Sequence, residues 1–203
     1  MKRGIILLNG EPWSEPIETD GAFVVCCDGA YRWAKDVRID LKVGDFDSLG
    51  YVPDDAQVYP TEKDCTDGEI AMDYLLEHGF DTIDIYGGGG GREDHFFGNM
   101  QLLVNAERKG AQAVMHTRYT HIGCVGVGKT VWKGKQGKTL SLAPIGESVH
   151  IMESKGLKYP LLNLTLAAGA CRGVSNVIEE DNAYIVCDCG EAFVFEVRED
   201  AKW

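Results

Sequence analysis

The sequence predicts an α/β domain, an open and mostly parallel sheet with helices on both faces, followed by an all-β sandwich. Three patterns carry this expectation. Ile5-Ile6-Leu7-Leu8 and Phe23-Val24-Val25-Cys26-Cys27 are continuous apolar runs, as strands covered on both faces read. Such runs alternate with helical stretches through the first half of the chain, the signature of crossover connections. From about His121 the pattern changes to short strand-type runs separated by Gly, Pro and Asn, which suits an antiparallel sandwich. The expected division is 1–119 for the α/β domain and 120–203 for the sandwich, with a hinge in the loop between them.

In the first half, the two apolar runs end in the turn pairs Asn9-Gly10 and Asp28-Gly29. Residues 30–37 read as a short helix, 41–43 as a strand leading into Asp45, and 57–59 as a further strand. Thr66 and Glu69 have capping-box spacing and open a helix that aligns Ile70, Ala71, Tyr74 and Leu75 and stops at Gly79. A strand over 82–86 runs into five glycines, 87–91, and a helix over 96–109 follows, with Asp94 as its expected N-cap. Residues 111–115 close the domain. In the second half, strands are expected at 130–133, 139–143, 149–152, 161–166, 183–187 and 192–197.

With 203 residues, either part is large enough to bury a core. A formal net charge of -12 argues against nucleic acid or an acidic membrane as partner, since either needs a basic face. An anionic substrate then needs a metal ion, local Lys or Arg, or helix N-termini to offset the field. The seven cysteines are odd in number and form no C-x-x-C pair, so reduced thiols in a cytoplasmic protein, most of them buried, are expected. The apolar run at the N-terminus is too short for a signal peptide or a membrane span.

The chemistry centres on Val43-Gly44-Asp45-Phe46-Asp47-Ser48-Leu49. On an extended backbone Asp45 and Asp47 face the same side. Magnesium suits such a pair, because it takes few protein carboxylates and fills its shell with water and substrate phosphate; a solvated turn has the same composition. Lys63 and Asp64 stand just outside the Thr66 cap. The glycine run costs more chain entropy on ordering than any other sequence, a cost that close approach to a ligand offsets. Arg92 follows it, with a guanidinium shaped for bidentate contact with phosphate. Ligands of open α/β sheets bind beyond the carboxyl ends of the strands. Asn9-Gly10, Asp28-Gly29, Asp45 with Asp47, and 87–92 all follow predicted strands, so they converge on one rim. Carboxylates beside a glycine cradle suit a magnesium-nucleotide complex in phosphoryl-type transfer.

Gly123-Cys124-Val125-Gly126-Val127-Gly128-Lys129-Thr130 satisfies the pattern G-x-x-x-x-G-K-[ST] in full. A phosphate-binding loop of that kind must open a helix, whereas Val131-Trp132-Lys133-Gly134 reads as a hairpin, so the match is taken as coincidental.

Taken together, Asp28-Gly29-Ala30, Gly44-Asp45-Phe46-Asp47-Ser48-Leu49, Lys63-Asp64-Cys65-Thr66-Asp67, Gly91-Arg92-Glu93-Asp94-His95, Lys155-Gly156-Leu157-Lys158-Tyr159-Pro160-Leu161 and Gly173-Val174-Ser175-Asn176 resemble the thiamine pyrophosphokinases, in order and over nearly the whole chain. The resemblance implies a homodimer binding thiamine near the subunit interface and, as reaction, transfer of the pyrophosphoryl group of ATP to the thiamine hydroxyl, releasing AMP. It implies Mg2+ on Asp45, Asp47 and Asp67, with Asp94 meeting the thiamine hydroxyl or orienting the metal. Lys63, Thr66, Gly89, Gly90, Gly91 and Arg92 are implied as polyphosphate contacts, and Asp28 and Gly29 as nucleotide-pocket residues. Ser175 and Asn176 resemble the thiamine-contacting pair, and Tyr159 stands where other members carry a Trp. The residues alone also admit another magnesium-dependent pyrophosphokinase, a P-loop-type NTPase, or a sensor that binds nucleotide or thiamine without turnover.

Overall fold

The computed structural model describes residues 1–198, and the chain divides into two compact units, Met1–Arg118 and a second beginning at Tyr119. The first contains strands β1 (Arg3–Leu7), β2 (Ala22–Cys27), β3 (Leu41–Gly44) and β4 (Ala56–Val58), helix α1 (Asp67–Glu77), β5 (Thr82–Tyr86), helix α2 (Glu93–Arg108) and β6 (Gln112–His116). The six strands pair in the order β6-β5-β1-β2-β3-β4, all parallel. Every carboxyl end therefore points the same way, which is what gathers the strand exits.

Ile5, Ile6 and Leu7 are all fully buried, because both faces of the sheet are covered. On the face of Gly4 and Ile6 lies α1: a Cβ at Gly4 would stand 2.7 Å from Leu75 Cδ1, so the missing side chain admits the helix. The opposite face carries Ile5, Leu7, Val24, Cys26 and Ala30 under Trp13, Ile17 and Trp33. Its cover includes no α-helix over 30–37; a 3₁₀ turn, Asp28–Arg32, stands there instead. Ala30, Trp33, Ala34 and Val37 do have helical spacing, but the backbone bonds over the stretch, Trp33 N–H and Ala34 N–H to Ala30 O and Val37 N–H to Ala34 O, close single turns and do not propagate into a helical ladder.

The second unit is a β-sandwich built from β7 (Thr120–Val125), β8 (Gly128–Trp132), β9 (Thr139–Lys155), β10 (Leu164–Ala167), β11 (Asn176–Val177) and β12 (Ala183–Val197). Runs expected as separate strands at 139–143 and 149–152 are one strand, β9, and those at 183–187 and 192–197 are one strand, β12. The expected strand at 161–166 begins only at Leu164. The first half of β12 pairs with β8 and the end of β9, and its second half with β7 and the start of β9. Register shifts between Val186 and Glu191 make the corner at which the long strands pass from one layer to the other. Leu140, Leu142, Val149, Ile151, Ile178 and Ile185 fill the core between the layers.

Of the seven cysteines, all free, Cys26, Cys27 and Cys187 are buried while Cys65, Cys171 and Cys189 are exposed, so burial accounts for fewer of them than expected. No helix among the described residues is long and apolar enough to cross a membrane.

Candidate active site

Two strand exits supply three carboxylates. β3 ends at Gly44, whose φ is +148°; a Cβ there would stand 2.9 Å from the Cβ of Asp28, so glycine is what lets the two loops approach. Phe46 is 2% exposed with φ +59°, and its buried ring pins the turn while Asp45 and Asp47 flank it. The Asp47 N–H donates to Asp45 Oδ1 at 3.2 Å. The pair is thus placed by a left-handed turn beyond the end of β3, and not by the pleat of an extended strand. That N–H, with Lys63 nearby, holds the Asp45 carboxyl below its ordinary range.

Asp28 opens the 3₁₀ turn after β2 with φ +31°. Its Oδ2 accepts from Ser48 Oγ at 2.7 Å, and its Oδ1 is buried without a hydrogen-bond partner among the described residues. Carboxylate oxygens of Asp28, Asp45 and Asp47 lie within 4.8 Å of one another. An all-oxygen set with one buried, unspent oxygen fits a hard divalent cation such as Mg2+. Asp28 belongs to this group, which sequence spacing alone did not reveal: the turn pair Asp28-Gly29 was legible, its neighbours across the sheet were not.

Asp67 is the first residue of α1, fixed by the capping box: Thr66 Oγ1 accepts from the Glu69 N–H at 3.2 Å, and Glu69 Oε2 accepts from the Thr66 N–H at 2.7 Å. Its Oδ1 stands 3.0 Å from Lys63 Nζ. Burial pushes the Asp67 carboxyl up; Lys63 opposes this, and the charges of Asp28 and Asp45 add to the rise. Lys63 would be pushed down by burial, and the Asp67 carboxylate outweighs that and raises it. Cys27 donates its thiol proton to the Asp67 carbonyl at 3.5 Å, and burial holds that thiol well above the ordinary range, hence neutral.

The glycine run links β5 to α2. Gly87, Gly88 and Gly89 are buried, and Gly87, Gly90 and Gly91 have φ of +72°, +70° and +70°. Gly87 O accepts from the Gly10 N–H at 2.7 Å and Gly89 O from the Glu11 N–H at 2.6 Å. The N–H groups of 88–92 donate to no protein atom among the described residues. A run of unspent N–H groups leading into a helix N-terminus is an anion-binding concavity.

Arg92, and not Asp94, occupies the N-cap position of α2, and Asp94 sits in the first turn. The Arg92 guanidinium grips Asp94 with two hydrogen bonds, Nε to Oδ1 at 3.1 Å and Nη2 to Oδ2 at 2.6 Å. That grip, with the His95 N–H, lowers the Asp94 carboxyl to about 2. Asp94 is ionised at any ordinary pH.

A cavity of about 560 Å³ is walled by Asp28, Lys63, Thr66, Asp67, Gly88, Gly90, Gly91 and Arg92, and also by Asn9, Cys27, His95 and Asn99. Asn9 is one of the rim residues expected from the strand exits; Cys27, His95 and Asn99 are not among the candidate site residues, for their chemistry is ordinary until the fold brings it to the wall. Asp45, Asp47, Asp94, Gly29 and Gly89 are not part of that wall. In the second unit, Tyr159 is 56% exposed and Asn176 is 5% exposed. Ser175 has φ +60°, and its N–H donates to Ser141 Oγ at 3.0 Å. The G-x-x-x-x-G-K-T stretch runs from β7 into β8 with no helix, and Lys129 Nζ lies 3.7 Å from the centre of the Tyr184 ring. It is not a phosphate-binding loop. Nor do residues 131–137 make a hairpin: β8 pairs with β12, and among the described residues it does not pair with β9.

Residues 17–115 match the family model of the thiamin pyrophosphokinase catalytic domain, and residues 130–190 that of the thiamin pyrophosphokinase vitamin B1 binding domain. A thiamine pyrophosphokinase of Bacillus subtilis is 36% identical over 120 residues, a match spanning 59% of this chain and 56% of that relative. The crystal structure of a Bacillus subtilis thiamine pyrophosphokinase superposes with a TM-score of 0.82 at 26% identity, over 97% of this chain and 99% of the other. A thiamin pyrophosphokinase family protein of Enterococcus faecalis has the same fold, with a TM-score of 0.83 at 24% identity over 98% of this chain and 100% of the other. The two models cover both units in the order found here, and the chain belongs to the thiamin pyrophosphokinase family.

Proposed function

We propose that the protein is a magnesium-dependent thiamine diphosphokinase, transferring the pyrophosphoryl group of ATP to the hydroxyl of thiamine and giving thiamine diphosphate and AMP. The observation that carries this reading is that one cavity has the Asp28 and Asp67 carboxylates in its wall together with glycine N–H groups that have no protein acceptor among the described residues. Carboxylates alone would repel a polyphosphate and N–H groups alone would not hold a cation; the combination suits a magnesium-nucleotide complex.

In this reading the thiamine hydroxyl oxygen bonds to the β-phosphorus of ATP, the bond from that phosphorus to the oxygen bridging to the α-phosphate breaks, AMP leaves with that oxygen, and the hydroxyl proton passes to solvent. Asp45, Asp47 and Asp67, joined by Asp28, would hold Mg2+, which when bound neutralises phosphate charge. Lys63, Thr66, Gly89, Gly90, Gly91 and Arg92 hold the polyphosphate, and Asp28 and Gly29 line the nucleotide pocket. Asp94, kept ionised by Arg92, accepts a hydrogen bond from the thiamine hydroxyl. Catalysis rests on positioning and charge more than on proton abstraction, because a carboxylate with so low a value is a weak base.

Thiamine is assigned to Tyr159, Ser175 and Asn176 of the second domain, 120–203, and ATP to the first, 1–119. A homodimer with thiamine near its subunit interface agrees with the exposure of Tyr159, Leu162 and Val174. A cytoplasmic location agrees with seven free thiols. The test is to incubate the protein with ATP, magnesium and thiamine and identify the products by mass. Thiamine diphosphate with AMP is expected. ADP without a diphosphate ester would overturn the reading, and so would binding without turnover.

A further inference from the structure

We infer that Asn99 is a positioning residue that sets the polarity of the glycine cradle. It rests on the reading of that cradle as the polyphosphate site. Three consecutive carbonyls of the run are held by protein donors: Gly87 O by the Gly10 N–H, Gly88 O by Asn99 Nδ2 at 2.9 Å, and Gly89 O by the Glu11 N–H. Two of the clamps are backbone groups of the loop after β1. The middle one is the only side chain among them, and it comes from α2, two turns into the helix that the run feeds.

The arrangement has a chemical consequence. A peptide unit that turns its carbonyl toward one partner presents its N–H to the other side, so holding three carbonyls back from the ligand aims the following N–H groups at it. Those N–H groups have no protein acceptor among the described residues. The peptide unit between Gly88 and Gly89 has glycine on both sides, so its inversion meets no Cβ. If Gly88 flipped, a carbonyl oxygen would face the phosphate and repel it. A Cβ at Gly10 would collide with Gly87 O and Gly89 O, so glycine there lets the loop after β1 close on both of those carbonyls, while the middle one is held by Asn99.

The Asn99 side chain lines the cavity, half-buried, and its Nδ2 is spent on the Gly88 carbonyl. It acts through Gly88 and is not a catalytic residue.

Two variants test this, Asn99→Ala, which removes the donor, and Asn99→Asp, which replaces it with an acceptor at nearly unchanged volume. Binding of inorganic tripolyphosphate with magnesium and of adenosine is measured by calorimetry, alongside thermal unfolding and KM for ATP and for thiamine. Tripolyphosphate affinity and KM for ATP should each worsen at least tenfold, more in Asn99→Asp, while adenosine affinity, KM for thiamine and the unfolding temperature hold. Tripolyphosphate affinity within twofold of the parent in both variants would overturn the inference. An equal loss for every ligand with a lowered unfolding temperature would also overturn it, by showing a merely structural role. If the parent binds tripolyphosphate in this Asn99-dependent way yet makes no thiamine diphosphate, the proposed reaction falls and the inference stands.

Discussion

Ser48 donates its hydroxyl proton to Asp28 Oδ2 at 2.7 Å, and the other oxygen of the same carboxylate is buried with no partner among the described residues. One hydrogen bond therefore fixes the carboxylate plane, and an oxygen of this carboxylate lies within 4.8 Å of oxygens from Asp45 and Asp47. Replacing Ser48 with Ala should raise the magnesium concentration for half-maximal turnover about tenfold, as loss of a group that orients a metal ligand does. KM for thiamine should not change. A magnesium titration of turnover, repeated by manganese binding without substrates, checks both.

Asp47 is exposed and shares its cluster with two other carboxylates. Asp47→Asn should abolish turnover and leave the fold intact, because removing one of three crowded charges relieves repulsion. Loss of activity with an unfolding temperature equal to or above the parent is the expected pair of results. A fully active variant would return the turn to a purely structural role.

Asn176 wraps its side-chain amide around the backbone of Tyr159, donating Nδ2 to its carbonyl at 2.7 Å and accepting its N–H on Oδ1 at 3.0 Å, while Oδ1 also takes the Val177 N–H at 2.8 Å. With its amide spent this way, any role of Asn176 in the proposed thiamine site would run through the position of Tyr159. Asn176→Ala strands buried backbone groups and should cost about 2–3 kcal/mol in urea unfolding. KM for thiamine should rise with KM for ATP unaffected. Unchanged stability would show that the loop holds itself.

Acid stability turns on Asp84, which accepts from Arg3 Nε at 2.8 Å and meets His116 Nε2 at 2.7 Å. Burial would raise its carboxyl, but the two hydrogen-bonded partners outweigh it, and the folded value is lowered. The unfolded chain then binds the proton more tightly, so stability rises with pH. This contribution is complete above the unfolded value, about 4, and is lost as pH falls through the folded one. Asp84→Asn should flatten the acid side of the urea-midpoint profile and cost about 1.5–3 kcal/mol at neutral pH. An acid limb as steep as the parent's would assign it to other carboxylates.

Lys129 completes a perfect nucleotide-binding pattern and yet spends its charge on the Tyr184 ring. Lys129→Met should leave turnover and KM for ATP within twofold of the parent and cost less than about 1 kcal/mol in stability. A large loss of turnover would reinstate the motif.

The amino-acid sequence by itself determined the parallel sheet, the sandwich after it and the family. Continuous apolar runs, the Thr66 to Glu69 cap and the Asp45, Asp67 and Asp94 motifs are local signals, written within a few residues of one another. Strand lengths in the sandwich were less legible, since β9 and β12 continue through polar, glycine-containing corners that look like turns until the partner strand shows the register shift. Tertiary structure alone decided that Asp28 joins Asp45 and Asp47, that the pair is aimed by the buried ring of Phe46, and that the Asn176 amide is committed to Tyr159. It likewise decided that Asn99 reaches Gly88. Each of these is a contact between residues from separate elements, and sequence spacing carries no information about which loops a parallel sheet brings edge to edge. The sheet direction gathers the strand exits; packing then selects which of their polar atoms are spent on protein and which remain for a ligand.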